Sequence, residues 1–240
     1  MKTGSCSQIV ALLLGALSCY GTTVVVMRTT DGILVAADAK VVDKRSNLPP
    51  QCKIRQYGKV FVAIAGITKS EAVGFDAEHV VRIAAVTPGP LLSKVEAFRI
   101  SARKYLLEDV EYEKRSSRSS YIRDYLGKRI LDVTFATMNG PNAEAVVQTF
   151  FVDGAGVLHD QQSPLGGHLV LVTGLTSAIK SYTEQNSDWY KRLGPDVAIK
   201  KFMELELASK KNAAGPVSII KMGVGGARWV EQGACPAIRN

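Results

Sequence analysis

The chain has 240 residues, of which 46% are hydrophobic and 22% are charged, and its formal net charge is +8. This composition is typical of a folded globular protein and excludes a disordered, collagen-like or multi-span membrane chain. The positive charge would suit a nucleic-acid partner. However, the basic residues are scattered, with no RNA-binding aromatic motif, zinc-finger spacing or heptad repeat, so we expect no such partner.

Residues 1–21 have the pattern of an export signal. Lys2 supplies a positive start, an apolar run covers residues 9–17, and small residues follow. The run is shorter than the about 20 residues that a membrane-spanning helix needs, so we expect no stable membrane span. Cleavage after Gly21 would make the protein secreted or periplasmic. The alternatives are a cytoplasmic protein with a cleaved propeptide, a short buried strand or helix, and lipidation at Cys19, which follows a poor lipobox.

The next segment is predicted to begin with antiparallel strands. A β-branched run over 22–29 is followed by the turn dipeptide Asp31-Gly32, so residues 33–37 should return beside the first strand. The composition of 43–51 is that of a loop. Further strands are predicted over 52–56 and 60–65.

The rest of the pattern alternates pairs of helices with blocks of strands. Apolar residues at helical spacing predict helices over 73–84, 91–105, 177–185 and 195–207. Strands are predicted over 131–138, 143–152, 168–172, 217–222 and 228–232, an exposed loop over 111–120, and turns over 139–142, 153–156 and 223–226. Consecutive helix pairs argue against a doubly wound parallel sheet. They favour an α+β fold of antiparallel sheets in one domain over 22–240.

Thr22 carries the strongest chemical hypothesis in the sequence. Cleavage after Gly21 would give Thr22 a free α-amino group, whose ordinary pKa of about 7.7–8.0 leaves part of it neutral at working pH. That amine could accept the proton of the Thr22 hydroxyl, directly or through a water. One residue would then hold both the nucleophile and the general base, which an internal threonine cannot do.

Three further residues support a site around Thr22. Asp38 follows the second strand at the end away from the turn, which in an antiparallel pair lies near Thr22. Lys53 opens the next strand, and Gly66 ends the one after it. A Lys53 ammonium would lower the pKa of the Thr22 hydroxyl and stabilise negative charge, with Asp38 keeping it charged, while the Gly66 N–H could face a substrate oxygen.

The segments GTTVVVMRTTDGILVAADAKVV and CKIRQYGKVFVAIAGIT resemble the N-terminal half of proteasome β-type subunits and their bacterial relatives. These are threonine peptidases of the N-terminal nucleophile (Ntn) hydrolase superfamily. Weaker similarity resumes at FFVDGAGVL and AAGPVSIIKMG. The resemblance implies a four-layer αββα sandwich of two antiparallel sheets between helix layers.

The same resemblance implies a function for each site residue. Thr22 matches the nucleophile, Asp38 and Lys53 the paired charges, and Gly66 the oxyanion-hole donor. It further implies a homo-oligomeric ring that cleaves peptides or unfolded proteins in a chamber. We expect no cofactor and no metal, since His79, His159 and His168 lack metal-ligand spacing.

The chain departs from the family pattern at three places. Where the family has a Gly-Ser-Gly turn whose Ser contacts the nucleophile's amine, this chain has no Ser, and Thr173 or Thr176 could replace it. The Asp and Ser that often precede the late strand are missing from 210–215, and Ile67 replaces the second of a glycine pair.

These departures favour a non-catalytic scaffold or binding subunit as the alternative. A further alternative is an internally processed cytosolic peptidase, in which residues 1–21 are a propeptide that Thr22 itself removes. The residues leave open whether Cys52 and Cys235 pair or are two independent buried thiols.

Overall fold

The structure of the protein is a computed structural model. It describes residues 22–39, 41–43, 46–48, 50–139, 142–166, 169–174, 176–209 and 215–239, with the backbone alone described for 41–43 and 46–48. The predicted export signal at 1–21 lies outside the described residues. So do His168, Lys210–Ala214 and positions 140–141 of a predicted turn.

Fourteen strands are present in the described ranges. They are β1 (Thr23–Arg28), β2 (Gly32–Asp38), β3 (Val41–Asp43), β4 (Ser46–Leu48), β5 (Ile54–Tyr57), β6 (Val60–Gly66), β7 (Lys69–Ser70), β8 (Phe75–Asp76), β9 (Lys128–Asn139), β10 (Asn142–Val152), β11 (Leu158–Pro164), β12 (Val170–Gly174), β13 (Val217–Gly223) and β14 (Gly226–Glu231).

Six α-helices are described, together with a single 3-10 turn at Glu71–Val73. The helices are α1 (Ala77–Val86), α2 (Leu91–Ser116), α3 (Arg118–Asp124), α4 (Ser177–Gln185), α5 (Trp189–Arg192) and α6 (Pro195–Ser209). None of the helices in the described part of the chain is long and apolar enough to cross a bilayer.

The strands form two large antiparallel sheets. The first sheet has the order β12-β1-β2-β13-β14, and the second has the order β11-β10-β9-β6-β5. One apolar core lies between the sheets, a second packs α1 and α2 on the second sheet, and a third packs α6 on the first. The predicted α+β fold, with two antiparallel sheets between helix layers, is confirmed.

The hairpin of β1 and β2 forms as the sequence predicts. The chain reverses at Asp31, and the register pairs Val24 with Ala37 and Arg28 with Ile33. Side chains alternate along both strands, so Val24 and Ala37 face the other sheet while Val25 and Ala36 face the helices. This register brings the end of β2 beside the start of β1, where Thr22 lies.

One prediction of a long exposed loop is wrong. Helix α2 continues to Ser116, and α3 follows directly, through residues 111–120. The side chains here are polar because most of this part of the helix faces solvent, while Val110 and Tyr121 still pack on the core. A Lys114–Glu111 ion pair at 2.6 Å, three residues apart, supports the helical turn.

Smaller corrections concern elements with weak local signals. Residues 46–48, predicted as loop, form a short strand, and β11 and α5 have no counterpart in the prediction. The strand predicted to begin at Cys52 begins at Ile54. β11 reads LHDQQSP, a polar edge strand in which propensity is low and pairing with β10 decides the structure.

Candidate functional site

Thr22 lies at one end of the layer between the two sheets. It directly precedes β1, is 6% exposed, and is in phase with Val24 and Val26, whose side chains face the opposite sheet. Because side chains alternate along an extended chain, the Thr22 side chain belongs to the same face.

Asp38 is brought next to Thr22 by the hairpin register. Its side chain is 1% exposed, and its Oδ1 accepts a hydrogen bond of 2.9 Å from the backbone N–H of Thr23. The carboxylate therefore fixes the main chain one residue after Thr22. Its position at the end of β2 farthest from the turn is the position that the sequence predicts.

Lys53 directly precedes β5 and is half-buried. Burial lowers the pKa of the Lys53 ammonium below its ordinary value of 10.5; Asp38 opposes this shift and Arg55 adds to it. Asp38 raises the pKa of Lys53, whereas burial and a like-charged neighbour can only lower it, so the Asp38 and Lys53 charges interact. Asp38 at the end of β2 is thus linked to both the chain at the start of β1 and Lys53 just before β5.

A disulfide secures the residue next to Lys53. Cys52 and Cys235 are bonded, with their Cα atoms 4.5 Å apart and 183 residues between them in the sequence. The C-terminal segment continues along β5, where the Gln56 side chain donates to the Arg239 carbonyl at 2.6 Å and accepts from its N–H at 2.9 Å. The chain entering β5 is thus attached to the C-terminal segment at two points.

Gly66 ends β6 with φ of +105°, a conformation that other residues rarely adopt. A side chain there would also collide with the main chain, since a Cβ would lie 2.3 Å from the Ile130 carbonyl oxygen. Ile67 N–H donates to that same carbonyl at 2.7 Å. Because hydrogen bonding alternates along an antiparallel pair, the Gly66 N–H points away from β9. On that side β6 pairs with β5 only as far as Ala63, so Gly66 lies beyond the paired part of β5.

Thr173 and Thr176, the two candidates for holding the amine, occupy different places. Thr173 lies on β12 opposite Val24, is 1% exposed, and its Oγ1 has no hydrogen-bond partner among the described residues. Thr176 is half-buried at the start of α4 and makes no side-chain capping bond. Of the two, Thr173 lies on the strand that pairs with β1.

A buried polar cluster that the sequence reasoning missed completes this end of the layer. Asp132 on β9 is 4% exposed, and its Oδ1 accepts from Arg129 Nη2 at 2.6 Å and from Thr149 Oγ1 at 2.7 Å. Its Oδ2 accepts from the backbone N–H of Gly174, on the opposite sheet, at 3.2 Å. The sequence signal for this cluster is an acidic residue, Asp132, in an otherwise apolar run. The sequence alone does not show which strand this residue faces, because that depends on contacts between distant residues.

This arrangement has the parts that acyl transfer needs. Thr22 supplies a hydroxyl, Asp38 a buried carboxylate that interacts with the half-buried Lys53 ammonium, and Gly66 a backbone N–H that points away from β9. Within the described ranges, no group of three or more His, Cys, Asp or Glu residues could hold a metal ion.

Comparisons with known proteins give the fold alone. No family model matches the chain, and no curated protein matches it. Among solved structures, it resembles a helical assembly of the Anbu complex from Pseudomonas aeruginosa, with TM-score 0.54 and 11% identity over 88% of this chain and 87% of that one. It also resembles an Anbu mutant from Hyphomicrobium sp. strain MC1, with TM-score 0.50 and 15% identity over 88% of each chain.

These findings correct the family expected from the sequence motifs. The assignment to proteasome β-type subunits is wrong, because the matches are to Anbu structures at 11% and 15% identity and no family model matches. What they support is a distant, proteasome-like relationship at the level of the fold. Short motifs around Thr22 are therefore not enough to assign the chain to that family.

Proposed function

We propose that this protein is an N-terminal threonine hydrolase that cleaves amide bonds in peptides or unfolded proteins. The observation that carries the proposal is the position of Asp38, which bonds the main chain next to Thr22 and interacts with Lys53. Each residue alone has an ordinary structural explanation, whereas a site of Thr22, Asp38, Lys53 and Gly66 has a chemical one.

The proposed reaction begins with Thr22 as a free N-terminus. Its α-amine takes the hydroxyl proton while Oγ1 attacks the substrate carbonyl carbon, and the Gly66 N–H stabilises the resulting oxyanion. The ammonium formed on Thr22 then gives its proton to the departing amine, which leaves an ester on Oγ1. Water, deprotonated by the same amine, hydrolyses that ester and restores Thr22. Lys53 stabilises the negative charge, and Asp38 holds Lys53 and the Thr23 main chain.

The disulfide supports the proposal that the protein is exported. Disulfides form and persist in oxidising compartments and are rare in the cytosol of most cells. The Cys52–Cys235 bond therefore agrees with removal of residues 1–21 by signal peptidase. Self-removal of a propeptide by Thr22 is the competing route.

We propose that copies of this chain assemble. One of the structures it resembles is described as a helical assembly. Helices α1 and α2 expose large apolar side chains that a partner copy could cover: Ile83, Val86, Leu92 and Ile100. A ring, as the sequence motifs imply, would be one form of such an assembly. Light scattering of the purified protein distinguishes a monomer from an assembly.

A reagent that needs both the hydroxyl and the amine of one residue provides the test. A peptide epoxyketone forms a ring with an N-terminal threonine through both atoms, so we expect a single adduct on Thr22 and loss of peptide hydrolysis. Thr22→Ala should form no adduct and lose activity by at least about 10,000-fold. Thr134→Val is the control, because Thr134 is equally buried and its Oγ1 has no hydrogen-bond partner; it should react normally.

The same variants distinguish the two processing routes. Intact-mass measurement of the wild type should give an N-terminus at Thr22. Thr22→Ala should still begin at residue 22 if signal peptidase cuts there, and should retain residues 1–21 if Thr22 removes them itself. A mature wild-type protein that begins at any other residue would contradict the proposed mechanism, because Thr22 would then lack the free amine.

One observation favours a non-catalytic relative as the second candidate. Thr173, at the position where the family pattern has a serine, has a buried hydroxyl without a hydrogen-bond partner, so nothing described orients it toward an amine. Equal turnover of wild type and Thr22→Ala on a broad peptide library would favour a scaffold over an enzyme.

A further inference from the structure

Gly174 has a backbone N–H that its own sheet does not satisfy. β12 is an edge strand and pairs with β1 alone, with Gly174 opposite Thr23. The Arg28 N–H donates to the Leu169 carbonyl in the same ladder. Because hydrogen-bonded and non-hydrogen-bonded pairs alternate, Gly174 belongs to a non-hydrogen-bonded pair, and its N–H points away from β1.

Asp132 supplies the missing acceptor from the opposite sheet. Its Oδ2 lies 3.2 Å from the Gly174 nitrogen, while its Oδ1 is held by Arg129 and Thr149. Arg129 also contacts the Thr149 hydroxyl at 3.1 Å. These bonds leave the carboxylate little freedom to rotate, so it sets the distance between the end of β12 and the second sheet.

Gly174 in turn lies against the main chain of Thr22. A Cβ on Gly174 would be 1.8 Å from the Thr22 carbonyl oxygen, so the two backbones are in direct contact. The same Cβ would lie 3.3 Å from the side chain of Ala65, the residue before Gly66. Ala65 is also the β6 partner of Asp132. Asp132 is therefore linked to both parts of the proposed site through one residue. Gly174 connects it to Thr22, and Ala65 connects it to Gly66.

Stability alone does not explain this cluster. The side chains of Arg129 and Asp132 are 11% and 4% exposed. Replacing a buried ion pair by apolar residues of similar volume often leaves a protein as stable or more so, because two charges lose their hydration. A buried pair at the end of the layer where Thr22 lies therefore calls for a role beyond folding.

We infer that Asp132 is a positioning residue for Thr22. Held by Arg129 and Thr149, it fixes the Gly174 amide, and Gly174 fixes the Thr22 main chain at the distance that the reaction needs from Gly66. The inference rests on the proposed function of Thr22. It names residues on the second sheet that act through Gly174 and touch neither the substrate nor the reacting atoms.

Two double variants isolate the hydrogen bond to Gly174. Arg129→Gln with Asp132→Asn removes both charges but keeps an acceptor oxygen, whereas Arg129→Gln with Asp132→Ala removes the acceptor. We expect the second to have a kcat about 10- to 100-fold lower than the first, with KM changed less than about threefold. Hydrogen exchange in a peptide covering 171–174 should be about tenfold faster in the second.

A remote pair provides the matched control. Asp160 accepts from Arg99 at 3.4 Å and from Arg103, on the helix side of the second sheet. Arg99→Gln combined with Asp160→Asn or with Asp160→Ala should give two proteins of equal kcat. If the Asp132→Ala protein does not fold, Thr149→Val takes its place. This variant nearly preserves shape, removes one donor to Asp132, and should lower kcat about two- to fivefold with unchanged KM.

The outcomes distinguish this inference from the function on which it rests. Equal kcat for the two Asp132 double variants, or for Thr149→Val and wild type in the replacement experiment, would overturn the positioning role while leaving the hydrolase intact. A wild type without Thr22-dependent turnover would refute the proposed function, and the positioning role with it. A fall in kcat at constant KM, with faster exchange near Gly174, would support the inference.

Discussion

The layer between the two sheets has different chemistry at its two ends. Toward the β1–β2 turn it is filled with apolar side chains: Val26, Ile33, Leu171 and Met222. Toward the start of β1 it contains buried polar side chains: Thr22, Asp132, Thr149 and Thr173. All of these side chains are buried, and both ends belong to the same pair of sheets.

The apolar end of the layer stabilises the fold, whereas the polar end consists of side chains that the fold holds in place. Burying one large apolar side chain contributes about 1.5–3 kcal/mol to the free energy of folding. Burying a hydroxyl or carboxylate contributes little even when it is hydrogen-bonded and costs about 1–3 kcal/mol when it is not. The polar end is therefore maintained at the expense of stability, which is the pattern expected of a functional site.

After the loss of Thr22 itself, removal of the ammonium at the polar end should have the largest effect on activity. We expect Lys53→Met to lower kcat/KM about 100- to 1000-fold, because Lys53 stabilises negative charge in the proposed transition state. Lys59→Met is the control, since Lys59 lies exposed in the turn between β5 and β6. Hydrolysis of a fluorogenic peptide measures both, and a Lys53→Met enzyme within tenfold of wild type would contradict the assigned role.

Removing the disulfide, which lies in the layer between the sheets and next to Lys53, should destabilise the fold. For Cys52→Ser combined with Cys235→Ser, we expect a loss of about 2–5 kcal/mol in the free energy of unfolding, since the bond closes a long loop. Urea unfolding measures this loss. A dithiol reductant should lower the wild-type midpoint and leave that of the double variant unchanged. In a native, unreduced protein that begins at Thr22, two titratable thiols would show that the pair is not bonded, because Cys6 and Cys19 are then absent.

Two positions on one face of β12 contrast the ends most directly. Leu171 and Thr173 are each 1% exposed and lie two residues apart. Leu171→Ala should lower the free energy of unfolding by about 2–5 kcal/mol, with little change in kcat. Thr173→Val should raise it by about 1 kcal/mol, because a buried hydroxyl without a partner is removed.

Activity gives these two variants a second readout. If Thr173 orients the Thr22 amine when substrate is bound, Thr173→Val should lower kcat while it stabilises the fold. Chemical unfolding and steady-state kinetics on the same preparations measure both quantities. Stabilisation without any loss of kcat would assign Thr173 to packing alone.

The parts of this site that the sequence predicted depend on local signals. The turn signal at Asp31-Gly32 predicts the reversal between β1 and β2, although the turn lies at residues 30–31 and Gly32 already begins β2. The register of this hairpin places Asp38 beside Thr22. Lys53 and Gly66 lie at strand boundaries, which the sequence marks with a polar residue or a glycine. The motif around these residues indicated the correct fold but the wrong family, because it covers only the first strands of the chain.

The parts that sequence reasoning missed depend on contacts between distant residues. Asp132 meets Gly174 across two sheets, and Cys52 meets Cys235 across 183 positions. No local pattern encodes either distance. The sequence predicts a loop over the last turns of α2 for a related reason. A polar composition indicates exposure to solvent, and an exposed helix and an exposed loop have the same composition.

The smallest predicted effect is a pH dependence that acts in opposite directions on stability and activity. Burial lowers the pKa of Lys53 below 10.5 in the folded protein. Between that lowered value and 10.5 the unfolded chain binds more protons at this residue than the folded one. The contribution of Lys53 to the free energy of unfolding therefore rises with pH through that window.

Activity should fall through the same window, because deprotonation removes the charge that stabilises the proposed transition state. The difference in unfolding free energy between wild type and Lys53→Met, measured by urea unfolding as pH is raised, isolates this residue from other titrating groups. Asp38 and Arg55 are the charged groups that interact with Lys53. A stability difference that falls with pH would mean that Asp38 outweighs burial and that the folded pKa lies above 10.5.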